Sequence, residues 1–243
     1  MTSPVTQSDI RALAFDVFGT VVDFRSTIID EGRGIEARTG VRLDWPELAD
    51  RWRGRYAPSM ARVMSGEMPW TVIDDLHRTA LDDVLAELGG EALSTAERDA
   101  FNLVWHRLRP WPDSVPGLTA LRREFTLATL SNGNVALLAD MAKHAGLPWD
   151  VVLSAELVRA YKPDPRTYRM VPELLRLRPD QVMMVAAHVK DLRAAAAEGL
   201  RTAFVPRPHE HGPATVLPGP EELTGIDVVA DDLTDLAARL TRP

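Results

Sequence analysis

Residues 11–25 read RALAFDVFGTVVDFR. The apolar run Ala12–Phe15 has the composition of a core strand, yet it stops on a carboxylate, Asp16, followed by Phe18, Gly19 and Thr20. An unpaired carboxylate is costly to bury. Asp16 therefore either caps a turn or carries chemistry, and the rest of the chain has to decide between them.

Downstream of Asp16 the pattern changes. From about residue 26 to 107 apolar residues recur at helical spacing and strand signals are absent. TIIDEGRGIEARTG predicts a helix stopping at Gly40. DWPELADRWRGRYAPSMARVMSG predicts a second, with Asp44 as N-cap and an end near Gly66. A third is closed by Gly89 and Gly90. A fourth opens on Ser94 and Glu97, spaced as a capping box. PWPDSVPG, residues 110–117, breaks this pattern and reads as a hinge or linker.

Beyond it, strand and helix signals alternate. TLATLSN, DVVLSAE, QVMMVAAH and RTAFVPRP read as strands, the first ending at Ser131 and Asn132. VALLADMAKHAG, PRTYRMVPELLRLR (interrupted at Pro172) and VKDLRAAAAEGL read as helices. PHEHGPATVLPGPEE reads as a surface loop, and DVVADDLTDLAARL closes the chain with a short strand and helix. Alternation of this kind implies a parallel sheet. The expected fold is α/β: a Rossmann-like parallel sheet core with helices on both faces and an inserted all-helical cap domain. Residues 1–24 and 110–243 would form the core, and residues 25–109 the cap.

Composition narrows the function classes. A length of 243 residues fits a core domain with a smaller insertion, and 45% hydrophobic residues suffice for a substantial core. The net charge of −7 argues against a nucleic-acid-binding surface, which carries a basic stripe. With no cysteine, disulfides, thiolate metal sites and cysteine nucleophiles are excluded. MTSPVTQSDI lacks the basic and apolar regions of a signal peptide. No run approaches the roughly 18 apolar residues of a membrane span. Both point to the cytoplasm and to no membrane partner.

In open α/β sheets ligands bind beyond the carboxyl ends of the strands. Asp16, Ser131, Asn132 and Asp191 fall at or just past such ends, and Lys162 follows another by a short loop. Taken singly, each has a bland reading: a turn carboxylate, an SNG turn, a solvated lysine, a helix N-terminal acid. His188 could equally cap the helix that follows it. Their convergence on one rim is what points to a site.

In sequence order these residues resemble the motifs of the haloacid dehalogenase superfamily: FDVFGT with Asp16 and Thr20, LSNG with Ser131, YKPDPRTY with Lys162, and VAAHVKDL with Asp191. The resemblance spans nearly the whole chain and implies Asp16 as a nucleophile. Most of that superfamily transfers phosphoryl groups with magnesium. Its phosphatases carry an acid two residues after the nucleophile, where this chain has Phe18, and a further acid at the position of Ala187. Magnesium needs several oxygen ligands, so the expectation is no metal and no cofactor, with Lys190 also opposing a cation. What remains is similar to the 2-haloacid dehalogenase branch, with the aromatic in FD-x-[FY]-GT.

That branch implies hydrolysis of short-chain L-2-haloacids to D-2-hydroxyacids through an aspartyl ester. It implies a cap arginine, for which Arg53 is the first match with Arg51 and Arg55 as rivals. It gives Lys162, Asp191 and His188 catalytic parts beside Asp16, and makes Thr20, Phe18, Ser131, Asn132 and Tyr168 pocket residues. Thr20 and Ser131 are expected to hold the substrate carboxylate. Ala186 and His188 stand where many members have serine and asparagine, and the ring of His188 is expected to favour small substrates such as fluoroacetate or chloroacetate. The small-molecule substrate is the implied partner, with a homodimer implied by resemblance alone. A phosphatase-like hydrolase and a non-catalytic binding protein remain alternatives.

Overall fold

The computed structural model describes residues 9–241; the stretch weighed above as a possible leader lies, for residues 1–8, outside them. Five parallel strands form one sheet in the spatial order β4 (Thr126–Thr129), β1 (Ala12–Phe15), β5 (Val182–Ala186), β6 (Arg201–Phe204), β7 (Val228–Val229). All four residues of β1 are buried. Leu13 and Phe15 join an apolar cluster with Leu118, Leu137 and Leu233, from helices α5 (Ser114–Leu121), α6 (Val135–Ala145) and α9 (Leu233–Leu240). Ala12 and Ala14 join a second cluster with Val171 and Leu192, from α7 (Pro165–Leu175) and α8 (Val189–Ala197). The strand is thus covered on both faces, which is why it reads as an unbroken apolar run. The Rossmann-like α/β core is confirmed.

Register places the site. Phe15 lies opposite Thr129 on one side and Val185 on the other. The residues just past these three, Asp16, Ser131–Asn132 and Ala187–His188, therefore emerge along one rim.

Across residues 24–107 the chain forms four helices, α1 (Phe24–Thr39), α2 (Trp45–Met64), α3 (Ile73–Leu88) and α4 (Thr95–Asn102), then a 3-10 turn over Leu103–Arg107. Their ends are set locally. Asp44 accepts from the Glu47 amide, Ser94 and Glu97 form the capping box, and Gly40 and Gly89 close helices in the left-handed conformation. Trp52, Phe101 and Trp105 pack edge-on or tilted at their centre, with ring centroids 5.4 Å apart for both pairs involving Trp52. The chain leaves and re-enters this unit through an antiparallel pair that strand signals did not reveal: β2 (Val22–Asp23) against β3 (Arg109–Pro110).

Four readings need correction. Residues 114–117 are no linker but the first turn of α5. Proline is tolerated there because first-turn amides have no intrahelical acceptor. Gly117 lies where α9 crosses, and a Cβ on it would meet the Leu233 backbone at 2.6 Å. Pro172 does not interrupt α7, which continues to Leu175 with Val171 and Pro172 both buried. DVVLSAE makes only isolated bridges at Val151 and Ser154, because side chains take over the pairing. There the Thr129 hydroxyl exchanges hydrogen bonds with Leu153, and Asp150 accepts from the Leu127 amide. The strand read over RTAFVPRP stops at Phe204, with Arg207 buried beyond it, and within the mostly exposed loop of residues 208–222 Glu210 turns inward; the two are 6% and 5% exposed.

Candidate active site

Asp16 is buried at the end of β1 with both oxygens engaged. Oδ1 accepts from the Lys162 ammonium at 2.9 Å. Oδ2 accepts from the Thr20 hydroxyl at 2.8 Å and lies 2.8 Å from His188 Nδ1. The same Lys162 donates to Asp191 Oδ2 at 2.5 Å, and the Tyr168 hydroxyl donates to Asp191 Oδ1 at 2.6 Å. Asn132 holds Lys162 in place, its side-chain carbonyl accepting the Lys162 amide at 2.8 Å.

One ammonium thus sits between two buried carboxylates, and their environments drive them apart. Burial alone would raise Asp16, but the Lys162 charge and the His188 contact override it and hold Asp16 well below the usual carboxylate range. Asp191 goes the other way: burial raises it, and the Asp16 charge adds to that against the pull of Lys162. Lys162 is held charged above its ordinary value, the two carboxylates outweighing burial. A pair of carboxylates separated in this way supplies one ionised nucleophile and one stronger base.

The opposite wall comes from the helical unit. Arg53, Tyr56, Ala57 and Met60 recur at i, i+3, i+4 and i+7 along α2 and line one face of the cleft. The Arg53 guanidinium carbon lies 4.2 Å from the Tyr56 ring centroid and 5.1 Å from that of Phe24. Its Nη1 is buried and has no hydrogen-bond partner among the described residues. Arg51 and Arg55 are taken up outside, Arg51 by Glu47 and both by Glu87. Of the three arginines, only Arg53 faces the cleft. The volume of the cleft is about 380 Å³, near the lower end of the roughly 300–1,000 Å³ typical of ligand sites.

A carboxylate aimed into a small cleft, with an ammonium beside it and an unpaired guanidinium across from it, suits attack on an anionic substrate. The chain also matches the family model for haloacid dehalogenase-like hydrolases over residues 10–199. It belongs to that family. Among solved structures it is similar to the L-2-haloacid dehalogenase PA0810, with 48% identity and a TM-score of 0.91 over 95% of this chain and 98% of the other. It is similar to the defluorinating L-2-haloacid dehalogenase Rha0230 at 47% identity and a TM-score of 0.90, covering 96% of each chain. The (S)-2-haloacid dehalogenase 1 of Pseudomonas sp. (strain CBS-3) is 29% identical over 96% of this chain and 99% of its own.

Many haloacid dehalogenase-like hydrolases use magnesium, and the residues here do not fit it. The space between Asp16 and Asp191 is filled by the Lys162 ammonium, and the other Asp16 oxygen faces His188. A divalent ion would have to expel one cation and approach a second. Phe18, two positions after Asp16, is 2% exposed and packs on Trp105 with centroids 5.6 Å apart, offering no side-chain oxygen.

Asp16, Phe18, Arg53, Asn132, Lys162, Tyr168, His188 and Asp191 are brought together around the cleft. Two expected pocket residues are not. Thr20 is fully buried, donating to Asp16 and accepting from the Ala187 amide at 2.9 Å, so it orients the Asp16 carboxylate and has no free face for a substrate carboxylate. Ser131 is likewise fully buried and accepts from the Gly133 amide. His188 stands at the N-cap of α8 but makes no capping bond; its ring turns to Asp16. Tyr56 and Glu210 were missed. Tyr56 was legible as the residue one turn beyond Arg53, whereas no local signal marks Glu210. No helix among the described residues is long and apolar enough to cross a membrane.

Proposed function

We propose that the chain hydrolyses short-chain L-2-haloacids to D-2-hydroxyacids without a metal. The observation that carries this is the Asp16 carboxylate, paired with Lys162, facing the unpaired Arg53 across a small cleft. Asp16 attacks C2 from the face opposite the halogen, forming an ester and inverting the carbon. Halide departs toward Arg53 and the Asn132 amide, donors already in place for the developing anion. Phe18 and Tyr56 line that end and keep water out. Water then attacks the ester carbonyl, with Asp191, held by Tyr168, as its base. Lys162 offsets the negative charge brought in by the substrate.

Residues 25–109 act as a cap over the core of residues 1–24 and 110–243. The reading draws on the β2–β3 neck and on α2 supplying one wall of the cleft. The enzyme is expected to be cytoplasmic and dimeric, which light scattering of the purified protein checks for assembly. The small cleft and the His188 ring favour haloacetates over longer acids, so chloroacetate should turn over faster than 2-bromobutyrate.

The test is halide release from L- and D-2-chloropropionate with chelator present. The reading expects release from the L acid alone. Metal-dependent hydrolysis of a phosphate ester, with no halide from any haloacid, would overturn it.

A further inference from the structure

The loop after β6 is built to deliver one carboxylate to the site. Arg207 anchors it, pairing with Asp113 at 2.7 and 2.9 Å and donating to the Thr20 carbonyl at 2.7 Å. Three residues on, Glu210 packs against Gly19. A Cβ on Gly19 would meet Glu210 Oε1 at 2.1 Å, and Gly19 has φ of +82°, so glycine is needed for both space and conformation. From there Glu210 Oε1 lies 2.9 Å from His188 Nε2, while His188 Nδ1 lies 2.8 Å from Asp16 Oδ2. The ring bridges two buried carboxylates, and both nitrogens act as donors only in the imidazolium.

We propose that Glu210 is a positioning residue that holds His188 as an imidazolium against Oδ2 of Asp16, so that His188 and Thr20 together form the oxyanion site for hydrolysis of the Asp16 ester. This rests on the haloacid reading above. Oδ1 has a single donor, Lys162, and is the oxygen with a lone pair free to bond C2. Oδ2, with two donors, stays the carbonyl oxygen of the ester. Water adds to Cγ and gives a proton to Asp191, while the carbonyl π pair moves onto Oδ2 as an oxyanion facing His188 and Thr20. Collapse re-forms that carbonyl, breaks the Cγ–Oδ1 bond and releases the hydroxyacid oxygen, which takes the proton back from Asp191. The acid left on Asp16 loses its proton to solvent, restoring the nucleophile.

The charges facing the ring come from several elements. Asp16 and Glu210 touch it, and His211 lies 3.7 Å from Glu210. Lys190 and Asp191 on α8, Lys162, and Arg53 on α2 line the same cleft. Burial works against the charged ring, but the two carboxylate contacts outweigh it and push His188 up to about 10. The charged form is therefore complete at neutral pH and is lost only as pH rises through that value.

Glu210→Gln tests this with two readouts. The first needs no substrate: the His188 ring is titrated by NMR. The wild-type ring should stay protonated past pH 9, and the variant should titrate about 1–2 pH units lower. The second is acid-quenched turnover of L-2-chloropropionate at pH 9. The variant should accumulate ester on Asp16 and lose about 2- to 10-fold in kcat, with KM falling alongside it and kcat/KM little changed, as for slowing a step that follows ester formation. At pH 6 it should approach wild type. Adding Glu210→Gln to His188→Asn should cost nothing further. An unchanged titration would overturn the role of Glu210. A shifted titration with unchanged turnover at pH 9 would overturn the oxyanion role of the charge. Absence of halide release by the wild-type enzyme would instead remove the haloacid reading, and the ester step with it.

Discussion

The two walls of the cleft are finished differently. On the core side both carboxylate oxygens of Asp16 are engaged, and Asp191, Lys162 and His188 are each held by at least two partners. On the helical side polar groups are buried and left over. Arg53 Nη1, both His77 ring nitrogens and Trp105 Nε1 have no partner among the described residues. The histidines show the contrast. His188, between two carboxylates, is pushed up to about 10, whereas burial, with Arg53 nearby, holds His77 well below its ordinary value. His77 stacks on Trp105 with centroids 4.0 Å apart. Keeping His77 neutral leaves Arg53 as the cation of that wall. The core wall holds its carboxylates paired, while the helical wall leaves a buried donor unpaired, a difference that fits the proposed nucleophile and anion site.

The largest effect should come from Asp16→Asn, which removes the nucleophile and should lower halide release at least about 10⁴-fold with the fold intact by circular dichroism. Next is Arg53→Ala, expected to cost about 10²- to 10³-fold in kcat/KM with KM raised. Arg53→Lys should recover only part, because an ammonium lacks the planar fork of donors. If Arg51→Ala or Arg55→Ala were as damaging, the assignment of Arg53 to the anion would fail. Thr20→Val removes a donor to Asp16 and is expected to lower kcat about tenfold at nearly constant KM, the reverse of the Arg53 signature.

The smallest effect concerns stability behind the cleft. His106 lies 2.9 Å from Asp140 on α6 and 3.1 Å from Asp74 on α3, and so ties the helical unit to the core. Burial lowers its pKa, but the two aspartates outweigh this and raise it above the ordinary value. Stability from a raised histidine is fully present below the unfolded-state value and is lost as pH rises through the folded one. The Tm difference between wild type and His106→Gln should therefore be largest near pH 5.5, about 2–4 °C, and shrink at alkaline pH. A difference independent of pH would mean that the contact is not ionic.

Much of this was legible in the sequence because it is local. Asp44, Ser94 and Glu97 cap their helices through residues within one turn, and Asp16 stands out by ending a strand buried on both faces. Helix α5 was obscured because Pro116 and Gly117 are breakers in isolation, and their tolerance depends on first-turn position and on α9 crossing close by. Thr20 and Ser131 were assigned to substrate because their residue types allow it; only the Ala187 and Gly133 amides reveal that both hydroxyls face inward. Glu210 was invisible because its partner is the rim of β1 and α8, reached through a loop anchored by the distant Arg207–Asp113 pair.

The proposed reaction runs through an ester on Asp16. A single turnover of L-2-chloropropionate by excess enzyme in ¹⁸O-labelled water tests it directly, with the peptide containing Asp16 and the product both weighed by mass spectrometry. Attack at Cγ predicts the label in the Asp16 carboxylate and none in the hydroxyacid. Label in the hydroxyacid after one turnover, with Asp16 unlabelled, would mean that water displaces the halide itself and that Asp16 never bonds to carbon.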